Sequence, residues 1–249
     1  MEIFQKETLK NWQDKLYSDP SQWFLSVHIK YSTRLKCLLR CAQIMQIYGL
    51  LKTNELKGKL MVLEPGCGIG AFSLILTIFG EVYSFDFSKE AIKIAKSFFG
   101  DNKSIKFFET DGTNPEEIPE LAGKKFDFIL MKEFYPLSKI IIDNTKPIDV
   151  VKGYYNMLTN GGIIIIEYAF DIKTLREANK ELQVSKIIKE FQALVFNTLC
   201  LDLILLSSIL FKNKRLRLLL LSLLNPIVVI ICTIAKVRLS KTIIIRKWI

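Results

Sequence analysis

Between residues 59 and 170 the chain alternates short apolar runs with longer stretches of helical periodicity. Lys59-Leu60-Met61-Val62 opens the first run, which ends at Leu63-Glu64, and Glu81 to Phe85, Ile105 to Glu109, Phe126 to Met131 and Gly162 to Glu167 follow. Helix-length segments separate these runs, beginning with Ala71 to Phe79. Such alternation predicts a doubly wound α/β unit, a mostly parallel sheet with helices on both faces. Ligands bind such sheets at the carboxyl ends of the strands, where Glu64, Asp86, Asp111 and Glu133 all fall.

The flanks follow a different rhythm. Residues 1–55 contain no strand pattern, and Phe24 to Leu51 places apolar residues at helical spacing among Lys and Arg, which reads as amphipathic helices. Two long apolar runs, Phe191 to Phe211 and Leu216 to Ala235, are joined by Lys212-Asn213-Lys214-Arg215 and read as a hydrophobic helical hairpin. The β-branched segment Lys241 to Trp248 reads as a final strand. The expected organisation is therefore a helical segment at 1–55, an α/β domain at 56–190, a hairpin at 191–237 and a terminal strand at 238–249.

The sharpest local signal is Leu63 to Gly70, LEPGCGIG, set between the first strand and the first helix. Glycines at 66, 68 and 70 let the backbone turn tightly and a ligand lie directly against it. Gly66, Gly68 and Ala71 also satisfy the dinucleotide pattern, with Asp86 about 20 residues on, so the turn by itself leaves the ligand open. Asp86 is placed to accept hydrogen bonds from a ribose diol or to cap the next helix, where Ser88 and Glu90 follow. Asp111 is an adenine contact or a turn residue before Asn114-Pro115. Glu64 is read as orienting the glycine turn or a ligand ammonium, and Cys67 as a small filler.

Taken in order, five segments resemble the class I S-adenosylmethionine-dependent methyltransferases over roughly residues 59–170. LEPGCGIG is similar to their motif I, Asp86 to the ribose-binding acid, TDG at 110–112 to the adenine segment, KFDFILMKE at 125–133 to motif IV, and LTNGGIIII at 158–166 to the fifth strand. The resemblance implies a Rossmann-like sheet whose last strand returns antiparallel, N-terminal lid helices and S-adenosyl-L-methionine as methyl donor. It assigns the donor site to Glu64, Gly66, Cys67, Gly68, Gly70, Asp86, Phe87, Asp111, Gly112 and Lys132. HIKYSTRLK at 28–36 faintly resembles a segment of ubiquinone-type O-methyltransferases, which adds Arg34 as a candidate for the donor's carboxylate beside its plainer role on a solvated face. Glu133 and Tyr135 take the acceptor-facing, catalytic position. The family's penultimate strand has no evident counterpart, because the apolar runs occupy its place.

Charge changes the picture of partners. Of the net charge of +10, nearly all lies after residue 185, where eleven Lys and Arg face two acids. Basic residues flank apolar runs of spanning length, but Asn197, Asp202 and Asn225-Pro226 interrupt them, and a spanning hairpin would place its basic tip against the positive-inside tendency. Helices lying at an anionic membrane surface, a spanning pair and a buried cap or dimer contact are the three readings. A small-molecule or lipid acceptor fits this tail better than nucleic acid, since aromatics are not interleaved with its basic residues. An RNA-directed methyltransferase or RNA-binding subunit is the second reading, and an NAD-dependent reductase the third. Five cysteines without a Cys-x-x-Cys pair argue against structural zinc and disulfides and for a cytoplasmic setting, at or near the membrane face. No metal site is expected, and the one histidine, His28 beside Trp23 and Tyr31, reads as structural. Lys132 to Pro136 lacks the Pro-Pro-Tyr and Pro-Cys signatures of nucleic-acid methylating subclasses. The oligomeric state is not written in the sequence.

Overall fold

Period-two alternation sorts the strand side chains into two cores, one on each face of a single sheet. The computed structural model describes residues 6–19, 59–134, 137, 146–170, 184–197, 216, 223–224 and 239–247. The strands are β1 (Leu60–Pro65), β2 (Gly80–Asp86), β3 (Ile105–Glu109), β4 (Phe126–Lys132), β5 (Leu158–Phe170), β6 (Leu194–Asn197) and β7 (Leu239–Arg246). The helices are α1 (Lys6–Ser18), α2 (Ala71–Leu76), α3 (Lys89–Phe99), α4 (Pro147–Asn156) and α5 (Val184–Phe191). Val62, Phe128, Leu130, Ile163, Ile165 and Ile244 join Leu76 of α2 and Ile92 and Ala95 of α3 in one core. Their neighbours Leu63, Ile129, Met131, Ile164, Ile166, Ile243 and Ile245 join Tyr154 of α4 and Ile187 of α5 in the other. Burial on both faces is why β4 and β5 read as continuous apolar runs.

The seven strands lie in the order β3-β2-β1-β4-β5-β7-β6. β1 to β5 are mutually parallel, and β7 runs antiparallel to both β5 and β6. The doubly wound architecture and the antiparallel return of the last strand are therefore as expected. Local signals fix the elements: Ser88 caps α3 by accepting from Ala91 N at 3.2 Å, and Pro147 opens α4, where no amide hydrogen is needed. The Asn160-Gly161-Gly162 turn becomes a bulge inside β5, with Gly161 at φ 78 and the register jumping from Phe126↔Leu158 to Phe128↔Ile163.

Two expectations change. The apolar run from Phe191 does not begin as a helix of a hairpin: Phe191 ends α5, Gln192 turns the chain at φ 49, and Leu194–Asn197 forms β6. The sixth strand thus exists, hidden because its apolar residues merge with those that follow. A further helix, α1, precedes the amphipathic stretch expected at 24–51. That stretch, and the remainder of the 191–237 hairpin after Asn197 apart from Leu216, Leu223 and Leu224, lie outside the described residues. Among the described residues no helix is long and apolar enough to cross a membrane.

The register also fixes where the segment 198–238 leaves the sheet. Lys132 stands level with Glu167, Glu167 with Thr242, and Thr242 with Phe196. β6 therefore ends, and β7 begins, at the carboxyl edge that carries Glu64, Asp86 and Glu133.

Candidate active site

The ends of β1, β2, β3 and β4, the start of α2 and one face of α1 line a cavity of about 220 Å³. β1 delivers Glu64 and the glycine turn, β2 delivers Asp86 and Phe87, β4 delivers Lys132 and Glu133, and α1 closes the side with Gln13 and Tyr17. Gly66, Gly68 and Gly70 all have positive φ, at 73, 53 and 78°. The demand is strictest at Gly70, where a Cβ would lie 2.8 Å from the Phe107 ring.

Asp86 is the hinge of the site. Its Oδ2 accepts from Gly68 N and its Oδ1 from Ser88 N, both at 2.9 Å, tying the glycine turn to the start of α3. Ser88, not Asp86, is the helix cap. Burial pushes the Asp86 carboxyl up to about 6 in spite of these backbone hydrogen bonds, and Asp14 adds to the rise. Glu64, 3% exposed, accepts from Ser73 Oγ at 2.5 Å and Ser84 Oγ at 3.2 Å. Cys67 is buried, its thiol pushed up by burial and then by Glu64 and Asp86, so it is an inert wall rather than a nucleophile.

Glu133 is one of two non-glycine residues with positive φ among the described residues, at 51°, and its N–H donates to Glu167 O at 2.9 Å. A left-handed residue at a strand end, with its side chain beside the cavity, is a strained position of the kind that accumulates at functional sites. Lys132 reaches along the cavity wall, its Nζ 5.2 Å from the Phe72 ring. Gly112 is there for space: a Cβ would lie 2.6 Å from Phe134 and 2.7 Å from Phe85, and its carbonyl accepts from Tyr154 Oη at 2.8 Å. Asp111 is placed differently. Its Oδ1 accepts from Thr113 N at 3.0 Å and Thr113 Oγ at 2.7 Å, so it closes a turn, and its neighbours Thr110 and Gly112 line the cavity instead. Arg34, Tyr135 and His28 lie outside the described residues.

The sequence pattern makes residues 1–55 helical but places no helix at Lys6–Ser18 and none of its residues in the site. Lys10, Gln13, Asp14 and Tyr17 fall at i, i+3, i+4 and i+7 and share one face. Lys10 Nζ pairs with Glu109 at 2.8 Å, Asp14 accepts from Ser88 Oγ and, at 3.4 Å, from Glu90 N, and Gln13 and Tyr17 enter the cavity. A Cβ on Gly68 would lie 3.1 Å from Tyr17 Oη. The Tyr17 hydroxyl is held protonated by burial, then by Asp86, Cys67 and Glu133. Gln13 Oε1 is buried with no hydrogen-bond partner among the described residues. Because this docking face is polar, a search for apolar periodicity passes over it; the signal was the spacing alone.

A family model described as a methyltransferase domain matches residues 56–219. Among solved structures, the plantazolicin methyltransferase BpumL in complex with a monoazolic desmethylPZN analog and SAH is similar at TM-score 0.59, with 17% identity over 97% of this chain and 96% of that one. N-methyltransferase NodS from Bradyrhizobium japonicum WM9, in complex with S-adenosyl-L-homocysteine, gives 0.56 and 15% over 96% and 97%. Phosphoethanolamine N-methyltransferase 2 of Haemonchus contortus, in complex with S-adenosyl-L-methionine, gives 0.57 and 17% over 100% of this chain and 61% of that one. These likenesses speak for the fold. No curated protein matches the sequence. The dinucleotide reading of the glycine turn gives way to the family match: the chain belongs to the methyltransferase-domain family, as an S-adenosylmethionine-dependent enzyme of class I.

Proposed function

We propose that the enzyme methylates a small lipophilic acceptor presented at an anionic membrane surface. The observation that carries this reading is the register of the sheet edge. The segment 198–238, two apolar runs rich in flanking Lys and Arg, leaves and rejoins the sheet at the carboxyl edge that carries the cavity. Leu216 and Leu223 within it are helical and exposed, at 39 and 59%. Apolar burial together with basic residues is what binds interfacial segments to anionic lipid. The mixed walls of the cavity agree, since Tyr17, Phe72 and Phe134 are aromatic and Glu133 is the acid at its acceptor side.

The residues present suit the donor. The glycine turn gives flat access, Asp86 takes the ribose diol, Phe87 and the Thr110–Gly112 segment take the base, and Gln13 Oε1 offers an acceptor that no group among the described residues uses. The sulfonium methyl is already activated for transfer, so the protein contributes mainly alignment and exclusion of water. α1 serves as a lid, Glu133 and Tyr135 orient the acceptor, and Glu133 accepts a proton where the acceptor carries one. Arg34 and Lys132 are the cations for the donor's carboxylate.

Incubation with labelled S-adenosylmethionine and a membrane lipid extract is expected to label a lipid-soluble product, with vesicle binding stronger for anionic than for neutral lipid and weaker in salt. The basic pI of 9.3 keeps RNA as the second reading. Labelled RNA, together with no vesicle binding, would replace the lipophilic acceptor.

A further inference from the structure

Glu64 differs from the other acids of the cavity in the unequal state of its two oxygens. Oε2 accepts both hydroxyls, from Ser73 and Ser84, and Oε1 accepts nothing from the described residues. The residue is 3% exposed and still forms part of the cavity wall. A carboxylate so buried, with two neutral hydroxyls as its only hydrogen-bond donors among the described residues, pays heavily for its charge. The groups that face it do not repay this. Lys132 from β4 favours ionisation, Asp86 from β2 opposes it, α2 offers only Ser73, and the glycine turn only the neutral Cys67 thiol. Burial dominates and pushes the carboxyl up to about 8. With Oε2 occupied by two donors, a proton on this group belongs to Oε1.

We propose that Glu64 carries a proton on Oε1 in the ligand-free enzyme and releases it when the cationic donor enters the glycine pocket, the neutral acid becoming the donor's counter-ion. This rests on the donor occupying that pocket. The step is a proton transfer alone: the Oε1–H bond breaks, the proton passes to solvent buffer, and no covalent bond to the donor forms. S-adenosylmethionine at neutral pH carries sulfonium and ammonium against one carboxylate, so the new negative charge balances its net positive one. Adenosine has the same nucleoside and no cation, and it leaves the acid protonated.

Titration calorimetry at pH 7.0 in two buffers of different ionisation enthalpy counts the protons released. Wild type with S-adenosylmethionine is expected to release about 0.9 proton, the fraction an acid of pKa near 8 holds at that pH. Adenosine, and S-adenosylmethionine with Glu64→Gln, are expected to release under about 0.2. The wild-type association constant should rise between pH 6 and 8, a result that needs no variant. Binding of S-adenosylmethionine to wild type without proton release, or equal release by Glu64→Gln, would overturn the inference while leaving the donor assignment intact. No binding at all would overturn the donor assignment and this inference with it.

Discussion

Asp86→Asn exchanges a carboxylate for an amide of nearly the same shape, and so separates what this residue does for the fold from what it does for the donor. In the wild type each carboxylate oxygen accepts one backbone N–H, from Gly68 and from Ser88, at 2.9 Å. The amide keeps one oxygen, so one bond is lost, at a cost of about 1.5–3 kcal/mol for a charge-assisted bond. The substitution also removes a buried charge. Holding the carboxyl at about 6 instead of 3.8 means that ionisation in the folded protein costs about 3 kcal/mol more than in the unfolded chain. The two effects nearly offset, so stability by urea denaturation at pH 7 should stay within about 1.5 kcal/mol of wild type. Donor binding has no such offset. Loss of the charged ribose acceptor should raise the Kd for S-adenosylmethionine about 10- to 150-fold by calorimetry. The pH dependences have opposite signs. Because the folded pKa is raised, the contribution of Asp86 to stability is fully present below 3.8 and is lost as pH rises through about 6. Donor affinity falls as pH drops below about 6, because a protonated acid has less to offer the diol. A Kd change under about threefold with unaltered stability would refute the ribose role. A stability loss above about 4 kcal/mol would show that the residue serves the turn first.

Three further outcomes are expected. Glu133→Gly should relieve the left-handed backbone at φ 51 and hold or raise stability by about 1 kcal/mol while turnover falls at least tenfold; retained turnover in a methyl-transfer assay would remove Glu133 from the acceptor side. Asp14→Ala should free α1 from Ser88 and Glu90, raising the KM for the donor more than it lowers kcat and speeding proteolysis near residue 18; equal proteolysis with and without the substitution would show that α1 is not held this way. Gly70→Ala should abolish donor binding, because its Cβ meets Phe107 at 2.8 Å, whereas Gly123→Ala, also at positive φ but with nothing within 4 Å, should cost only about 1 kcal/mol and leave binding unchanged.

Much of this molecule is legible in its sequence, for identifiable reasons. β3 matches its expected bounds because turn residues flank both ends, and β1, β2 and β4 lie within a few residues of theirs. Each is a short apolar run with an acid at or within one position of its end, Glu64, Asp86, Glu109 and Glu133. β6 was invisible because Leu194–Asn197 merges into a longer apolar run, and only pairing with β7 makes it a strand. α1 was not placed because its docking face is built from Lys10, Gln13, Asp14 and Tyr17. Asp111 carries the expected motif position yet closes a turn with Thr113, a choice between two hydrogen-bond partners that spacing does not encode.

The pairing of Asn197 with Lys241 has a consequence for how this enzyme can be rebuilt. The chain leaves the sheet from one strand and comes back on the strand beside it, so residues 198–238 form an excursion pinned at its base, and neither end is needed to reach across the molecule. Shortening such an excursion costs or gains little closure entropy, about 0.6 kcal/mol per doubling of length. A tight reverse turn grafted between positions 197 and 241 would remove only the pairs of Leu239 and Ser240 with Phe170 and Ala169 and is expected to leave the strand order in place. The two ends of the apolar excursion thus meet on neighbouring strands at one edge of the sheet, and an exchange of the segment is expected to leave the seven-strand order that holds the glycine turn in place.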